Sequence, residues 1–172
     1  MIRSASVADV PGIAEFQTRC WREVYAGLVP QDYLDRVGAP GRDARWRERI
    51  SAGSRAVALA EQAGHIVGVV SWGTTRLLDA PDLELMSLYV SSIERGHGLG
   101  AELLTHAVND DPAHLWVFED NIRAQAFYRK HGFVADGRRS IDPDTGLCEL
   151  LYTRPRQRGQ FKPSLRGRTK LT

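Results

Sequence analysis

Arg95-Gly96-His97-Gly98-Leu99-Gly100 begins five residues past the apolar run Leu83 to Val90 and leads into the helical stretch Ala101-Glu102-Leu103-Leu104. Three glycines at alternate positions let a ligand approach the backbone closely and aim several N–H groups at one point. The N-terminus of the following helix adds unpaired donors and the positive end of its dipole. Such a loop suits an anion with several oxygens, a pyrophosphate for example. Arg95 adds a positive charge, and His97, inside the loop, adds a phosphate donor.

A glycine loop alone is a weak signal, and three architectures compete for this one. A Walker P-loop is excluded, because neither Lys-Ser nor Lys-Thr follows the glycines. A dinucleotide site is a closer rival. Gly96-x-Gly98-x-x-Ala101 matches the relaxed fingerprint, and Glu119-Asp120 lies about 20 residues on, where a ribose-binding carboxylate belongs. Against it, Ser91-Ser92-Ile93-Glu94 separates strand from glycines, strands and helices already occupy the first 90 residues, and only 72 residues remain after Gly100. That is too little chain for the rest of such a fold.

Working outward, Ile2 to Ala5 reads as a short strand. Ser6-Val7-Ala8-Asp9 resembles a capping box, with Pro11 at the opening of a helix. Ile13, Phe16, Cys20 and Val24 give that helix an apolar face, with Trp21 at its margin. Gly27 and Pro30 end it. A second helical stretch starts near Gln31 with Tyr33, Leu34 and Val37, and a third runs from Asp43 to Ile50. Ala56 to Ala60 and Ile66 to Trp72 form a hairpin across the link Glu61 to His65. Leu83 to Val90 is apolar on both parities, which predicts a central strand covered on both faces. A helix from Leu99 to Asn109, strand His114 to Phe118, helix Ile122 to His131, strand Phe133 to Asp136 and strand Leu147 to Tyr152 complete the order. This predicts a single α/β domain with a mixed sheet of six or seven strands.

The chain has 172 residues, 42% hydrophobic and 26% charged, which suits one soluble globular domain. No apolar run approaches the length of a membrane span, roughly 18 residues. Cys20 and Cys148 are far apart and lack metal-ligand spacing, so both read as buried small hydrophobes in a reducing compartment, the cytoplasm by default. His65, His97, His106, His114 and His131 likewise show no metal spacing and read as surface or loop residues. Thr153 to Thr172 holds seven basic residues and no acid, which leaves the body with a formal charge of −5. An acidic body helps attract a cationic amine. The division expected is a domain over 1–154 and a basic extension over 155–172.

Two blocks bring a family into view. Arg95-x-x-Gly98-x-Gly100, after Leu88-Tyr89-Val90 and before Ala101-Glu102-Leu103-Leu104, resembles the acetyl-CoA pyrophosphate loop of the GNAT superfamily of N-acetyltransferases. Trp116-Val117-Phe118-Glu119-Asp120-Asn121-Ile122-Arg123-Ala124-Gln125-Ala126-Phe127-Tyr128-Arg129-Lys130-His131-Gly132-Phe133 resembles the strand and helix that follow it there. Trp21-Arg22-x-x-Tyr25-x-Gly27-x-x-Pro30 is a looser match to a bacterial subgroup. The resemblance covers Ile2 to about Arg154. It implies a mostly antiparallel sheet splayed between its fourth and fifth strands, with acetyl-CoA as acyl-donor cosubstrate, no metal, and an amine of a small molecule, peptide or protein as acceptor. Many relatives pair as dimers.

The resemblance also implies roles. The pantetheine arm would lie along the backbone of Leu88, Tyr89 and Val90, where an N–H near Leu88 would polarise the acetyl carbonyl. Tyr128 would protonate the departing thiolate, a task suited to a phenol of reference pKa ~10. Asn121 would cap its helix, bond the pantetheine amides, or both. Glu84 is the first candidate for general base, since the superfamily often uses a glutamate in this strand. Glu23, Asp82 and Glu119 are weaker ones. Trp21, Tyr25 and Tyr33 either wall the acceptor pocket or pack in the core. A non-catalytic acyl-CoA-binding module on the same fold remains the main alternative. A nucleic-acid contact through the basic extension is the more remote one.

Overall fold

The computed structural model describes residues 1–25 and 39–155. The chain runs β1 (Ile2–Ser4), a 3-10 turn (Val7–Asp9), α1 (Val10–Tyr25), α2 (Ala39–Ser51), β2 (Ala56–Gln62), β3 (His65–Thr74), β4 (Leu83–Val90), α3 (Leu99–Val108), β5 (Ala113–Phe118), α4 (Ile122–Lys130), β6 (Val134–Ile141) and β7 (Cys148–Arg154). The seven strands form one sheet in the order β1-β2-β3-β4-β5-β7-β6. Only β4 and β5 run parallel, and every other neighbouring pair is antiparallel. The expected mixed, mostly antiparallel sheet is therefore present. The helical stretch expected near Gln31, with Tyr33, lies outside the described residues, as does the basic extension beyond Pro155.

Local chemistry explains the element starts. The Asp9 carboxylate accepts from both Ser6 N and Ser6 Oγ, at 2.8 and 2.9 Å, so the box ahead of α1 forms as its spacing suggests. Asn121 Oδ1 accepts from Ala124 N at 3.1 Å and starts α4. The link between β2 and β3 is shorter than expected. Both strands extend inward until only Ala63 and Gly64 remain, at φ 49° and 77°, the two positive values a tight primed turn requires. An alanine in that turn hid it from the sequence.

Apolar layers lie on both faces of the sheet. On one, Leu103 and Leu104 of α3, Tyr128 of α4 and Phe133 just beyond it pack against Ala58, Val70, Leu115 and Val117. On the other, α1 and α2 bring Ile13, Phe16 and Trp46 against Val57, Leu59 and Val69. Each fully buried leucine, Leu59 and Leu103 among them, contributes about 1.5–3 kcal/mol relative to exposure. Strands β2 and β3 are thus covered on both faces, and β4 contributes Tyr89 to the second layer.

The reason β4 looked two-sided is different. Its register against β3 passes from Ser71↔Ser87 to Trp72↔Leu85, so Met86 is an extra residue in a β-bulge. The bulge inverts parity, and Leu83, Leu85, Leu88 and Val90 all join the same apolar layer. Most of β4 is only half-buried.

At the far edge β6 runs to Ile141, five residues beyond the Asp136 expected. Seven of its eight residues are exposed, so no apolar alternation marked it. Arg138 to Ile141, past the expected strand end, are therefore strand as well.

Candidate active site

The splay between β4 and β5 begins almost at once. One residue pair, Glu84↔His114, joins them, and beyond it the strands part. The bulge at Met86 lies just past that pair. The remainder of β4, Ser87 to Val90, therefore offers main-chain groups along an edge that β5 leaves open. Two cavities flank the opening. One, of about 370 Å³, runs along Leu88, Tyr89 and Val90 to Arg95, Gly96, Gly98 and Gly100. The other, of about 280 Å³, lies beneath α1 and α2 and against β5 and β7. Tyr25, Leu88, Tyr89, Asn121, Ala124 and Tyr128 line both, so the two compartments meet in the gap.

The glycine loop has the geometry of an anion cradle. Gly96 and Gly98 stand at φ 86° and 92°, values that a side chain disfavours. Gly98 precedes α3 without any side-chain cap. The N–H groups of Gly96, Gly98, Leu99 and Gly100 find no acceptor among the described residues. Open space surrounds the Cβ positions of Gly96 and Gly98, so a ligand can reach the backbone. The donors and that space fit a pyrophosphate. Arg95 lies beside the loop and pairs with Glu23 at 3.3 Å. His97 is exposed and does not line this cavity, and the Leu99 side chain packs inward on the sheet.

Tyr128 faces the junction from α4. Its ring is buried, and none of the described residues hydrogen-bonds its hydroxyl. Burial holds the phenol above its ordinary value, helped by the nearby Tyr25 and Tyr89. Asn121, besides capping α4, donates from Nδ2 to Tyr25 Oη at 3.0 Å. Tyr89 Oη accepts from Gln17 Nε2 at 2.9 Å and Trp21 Nε1 at 3.1 Å. Trp21 and Tyr25 pack with Phe118 and also line the second cavity, the one beneath α1 and α2.

Glu84 lines neither cavity. It faces His114 Nε2 at 3.6 Å across the parting strands. His114 is 1% exposed, which corrects the reading of it as a surface or loop residue. Its Nδ1 donates to the Pro81 carbonyl at 2.6 Å. The bond from His114 holds the Glu84 carboxyl below its usual range. Burial works against charge on His114, but Glu84 and the Pro81 carbonyl together raise it. The depressed Glu84 stabilises the fold at pH values above its unfolded 4.5, and the raised His114 does so below its unfolded 6.5. The pair therefore contributes most between those values. Glu84→Gln is expected to cost about 1–2 kcal/mol, a fall of roughly 2–8 °C in Tm by calorimetry at pH 5.5, with less effect at pH 8.

A residue that sequence reasoning did not select lines the second cavity. Glu149, near the start of β7, lies opposite Phe118 of β5. It is half-buried, and its carboxylate has no hydrogen-bond partner among the described residues. Burial, then the charges of Asp142 and Glu84, push it up to about 7. Of the weaker base candidates, Glu23 pairs with Arg95 and Glu119 pairs with Arg139. Neither they nor Asp82 line the second cavity. Of the cysteines, Cys20 is buried and Cys148 only half-buried. No helix among the described residues is long and apolar enough to cross a membrane.

Comparison with known proteins agrees with this geometry. Residues 12–133 match the model of the Acetyltransferase (GNAT) family. The chain is 30% identical over 143 residues to a probable N-acetyltransferase of Mycobacterium tuberculosis, covering 80% of this chain and 81% of that one. It shares its fold with the PaiA N-acetyltransferase of Thermoplasma acidophilum, solved in complex with coenzyme A, at a TM-score of 0.68 and 18% identity, over 88% of this chain and 96% of the other. A putative acetyltransferase from Salmonella typhimurium, solved with its cofactor acetyl-CoA, superposes with a TM-score of 0.62 at 21% identity, over 89% and 91% of the two chains. A sheet opened between β4 and β5 beside a glycine loop, and a family match over most of the described chain, lead to one assignment: the chain belongs to the GNAT family of acetyltransferases, enzymes whose acyl donor is acetyl-CoA.

Proposed function

We propose that this chain transfers the acetyl group of acetyl-CoA to a primary amine by direct attack, with Glu149 as general base and Tyr128 as general acid. The observation that carries this reading is the meeting of two cavities at Tyr128, one reaching the glycine loop and the other Glu149. Acetyl-CoA supplies a thioester that an amine nitrogen attacks, breaking the C–S bond.

The chain's own groups do the rest. Main-chain donors of Gly96, Gly98, Leu99 and Gly100, with Arg95, hold the pyrophosphate. The open edge of Leu88, Tyr89 and Val90 aligns the pantetheine arm, with Asn121 at its side. An N–H near Leu88 stabilises negative charge on the carbonyl oxygen. Glu149 takes a proton from the incoming ammonium, since an amine of pKa ~10 arrives charged at neutral pH. Tyr128, kept protonated by burial, donates toward the sulfur as it leaves. Glu84 acts instead as a pin at the point where β4 and β5 part.

On this reading residues 1–154 are the transferase domain and 155–172 a basic extension. A thiol-release assay with acetyl-CoA and a broad panel of amines, paired with calorimetry of acetyl-CoA binding, tests the reading. Turnover of at least one amine is expected. Binding without any turnover favours an acyl-CoA-binding module, and absence of both sinks the proposal. Gly98→Ala forces a side chain into φ 92°, a strain on the order of 1–3 kcal/mol. The expected result is a KM for acetyl-CoA raised about tenfold with kcat nearly unchanged.

A further inference from the structure

The acceptor-side cavity is not built for a plain amine. Arg42, Arg45, Arg49 and Arg55 all reach its lining, from α2 and the segment before β2. Two of them have other occupations. Arg45 pairs with Asp144 at 3.2 Å, and Arg42 stacks over the Trp21 ring at 4.9 Å. Arg49 and Arg55 are different. Each is half-buried, and neither guanidinium has a carboxylate or hydrogen-bond partner among the described residues. Arg55 Nε is fully buried and unsatisfied. Arg49 lies over the face of Trp46, at 5.4 Å. The two lie close enough for the charge of one to act on the other.

Two partly desolvated guanidiniums with no acid partner, near enough to repel each other, are costly to maintain. The cost is recovered when an anion enters between them, because planar guanidiniums match carboxylate and phospho oxygens. Glu149, the only acid of this cavity that no described residue hydrogen-bonds, supplies the opposite charge on the β7 side. The cavity therefore presents a cationic wall and an anionic wall within about 280 Å³. Resting on the transferase reading above, we propose that the acceptor is a small zwitterion, an amine bearing a carboxylate or phospho group. Arg49 and Arg55 hold its anion, and its amine faces Glu149. These arginines fix specificity and orientation and take no part in proton transfer. The glycine loop is a separate anion site, since neither arginine lines that cavity.

The test compares matched probes on the full chain. α-Amino acids are paired with their amides, and 2-aminoethylphosphonate is paired with propylamine. Equilibrium binding is measured calorimetrically with CoA present, and turnover is measured by thiol release. In the wild type at least one anionic probe is expected to bind about 10- to 100-fold more tightly than its neutral partner. Arg55→Gln and Arg49→Gln should each erase most of that difference and leave neutral probes unaffected. Arg47→Gln, on an exposed residue outside the cavity, should preserve it. Carboxylate and phosphonate arms identify which anion is preferred. The proposal is overturned if no anionic probe outbinds its neutral partner, or if the arginine variants weaken both kinds equally. If anionic probes bind with this preference yet none is acetylated, the zwitterion site stands and the transferase reading falls.

Discussion

Glu149→Gln is expected to lower kcat/KM by about 10²- to 10⁴-fold, the range for loss of a positioned general base. The wild-type rate should rise with pH through about 7, as the carboxyl becomes ionised, and that acid limb should vanish in the variant. The same substitution has an opposite effect on stability. Folding raises this carboxyl from 4.5 to about 7, so the folded state binds the proton more tightly than the unfolded one. Stability contributed by the protonated form is fully present below pH 4.5 and is lost by about pH 7. A neutral glutamine escapes that loss, so Glu149→Gln should melt higher than wild type at pH 8. An inactive yet more stable variant would be the signature of a carboxylate kept at a site where it costs stability. A variant with wild-type kcat/KM would remove Glu149 from the mechanism, and Glu84→Gln, measured alongside, would then be the next candidate to examine.

Tyr128→Phe is expected to lower kcat about 100-fold, with the affinity for acetyl-CoA nearly intact. The ring remains and its packing against Phe127 and Phe133 is kept, so the change removes little besides the hydroxyl. Burial pushes the phenol above its ordinary value, which makes a full proton transfer to a thiolate of reference pKa ~8.5 uphill in water. The same dry gap raises the thiolate's own affinity for a proton, which narrows that difference as the C–S bond breaks. Single-turnover kinetics with an acetylated amine as product would measure the effect on chemistry directly. An unchanged rate would leave the tyrosine as packing alone.

The parts of this protein legible in its sequence are those governed by neighbours in the chain. The glycines at 96, 98 and 100, the Asn121 cap and the Ser6–Asp9 box each act over a few residues. Their spacing alone told where helices begin and where backbone donors are left free. The block Trp116 to Phe133 was readable for the same reason, because a strand, a cap and a helix follow one another without interruption. Strand number, sheet type and the opening between β4 and β5 came from those blocks taken together with the resemblance they carry.

What stayed hidden depends on pairing between distant segments. Met86 inverts the parity of β4, and only its register with β3 reveals a bulge where the sequence shows an apolar run on both faces. His114 is deeply buried because β5 enters the sheet beside Glu84, 30 positions earlier in the chain. Glu149 carried no local mark at all. It reaches the acceptor-side cavity because β7 inserts between β5 and β6, out of chain order, and sets it opposite Phe118. Arg49 and Arg55 carried no local mark either, and packing closes them over the same space as Glu149. Short-range backbone preferences are written residue by residue, and so the sequence by itself determined the anion loop and the order of elements. Burial, charge proximity and a shifted pKa exist only once remote strands are joined, and so the tertiary structure alone decided which carboxylate and which cations share the site.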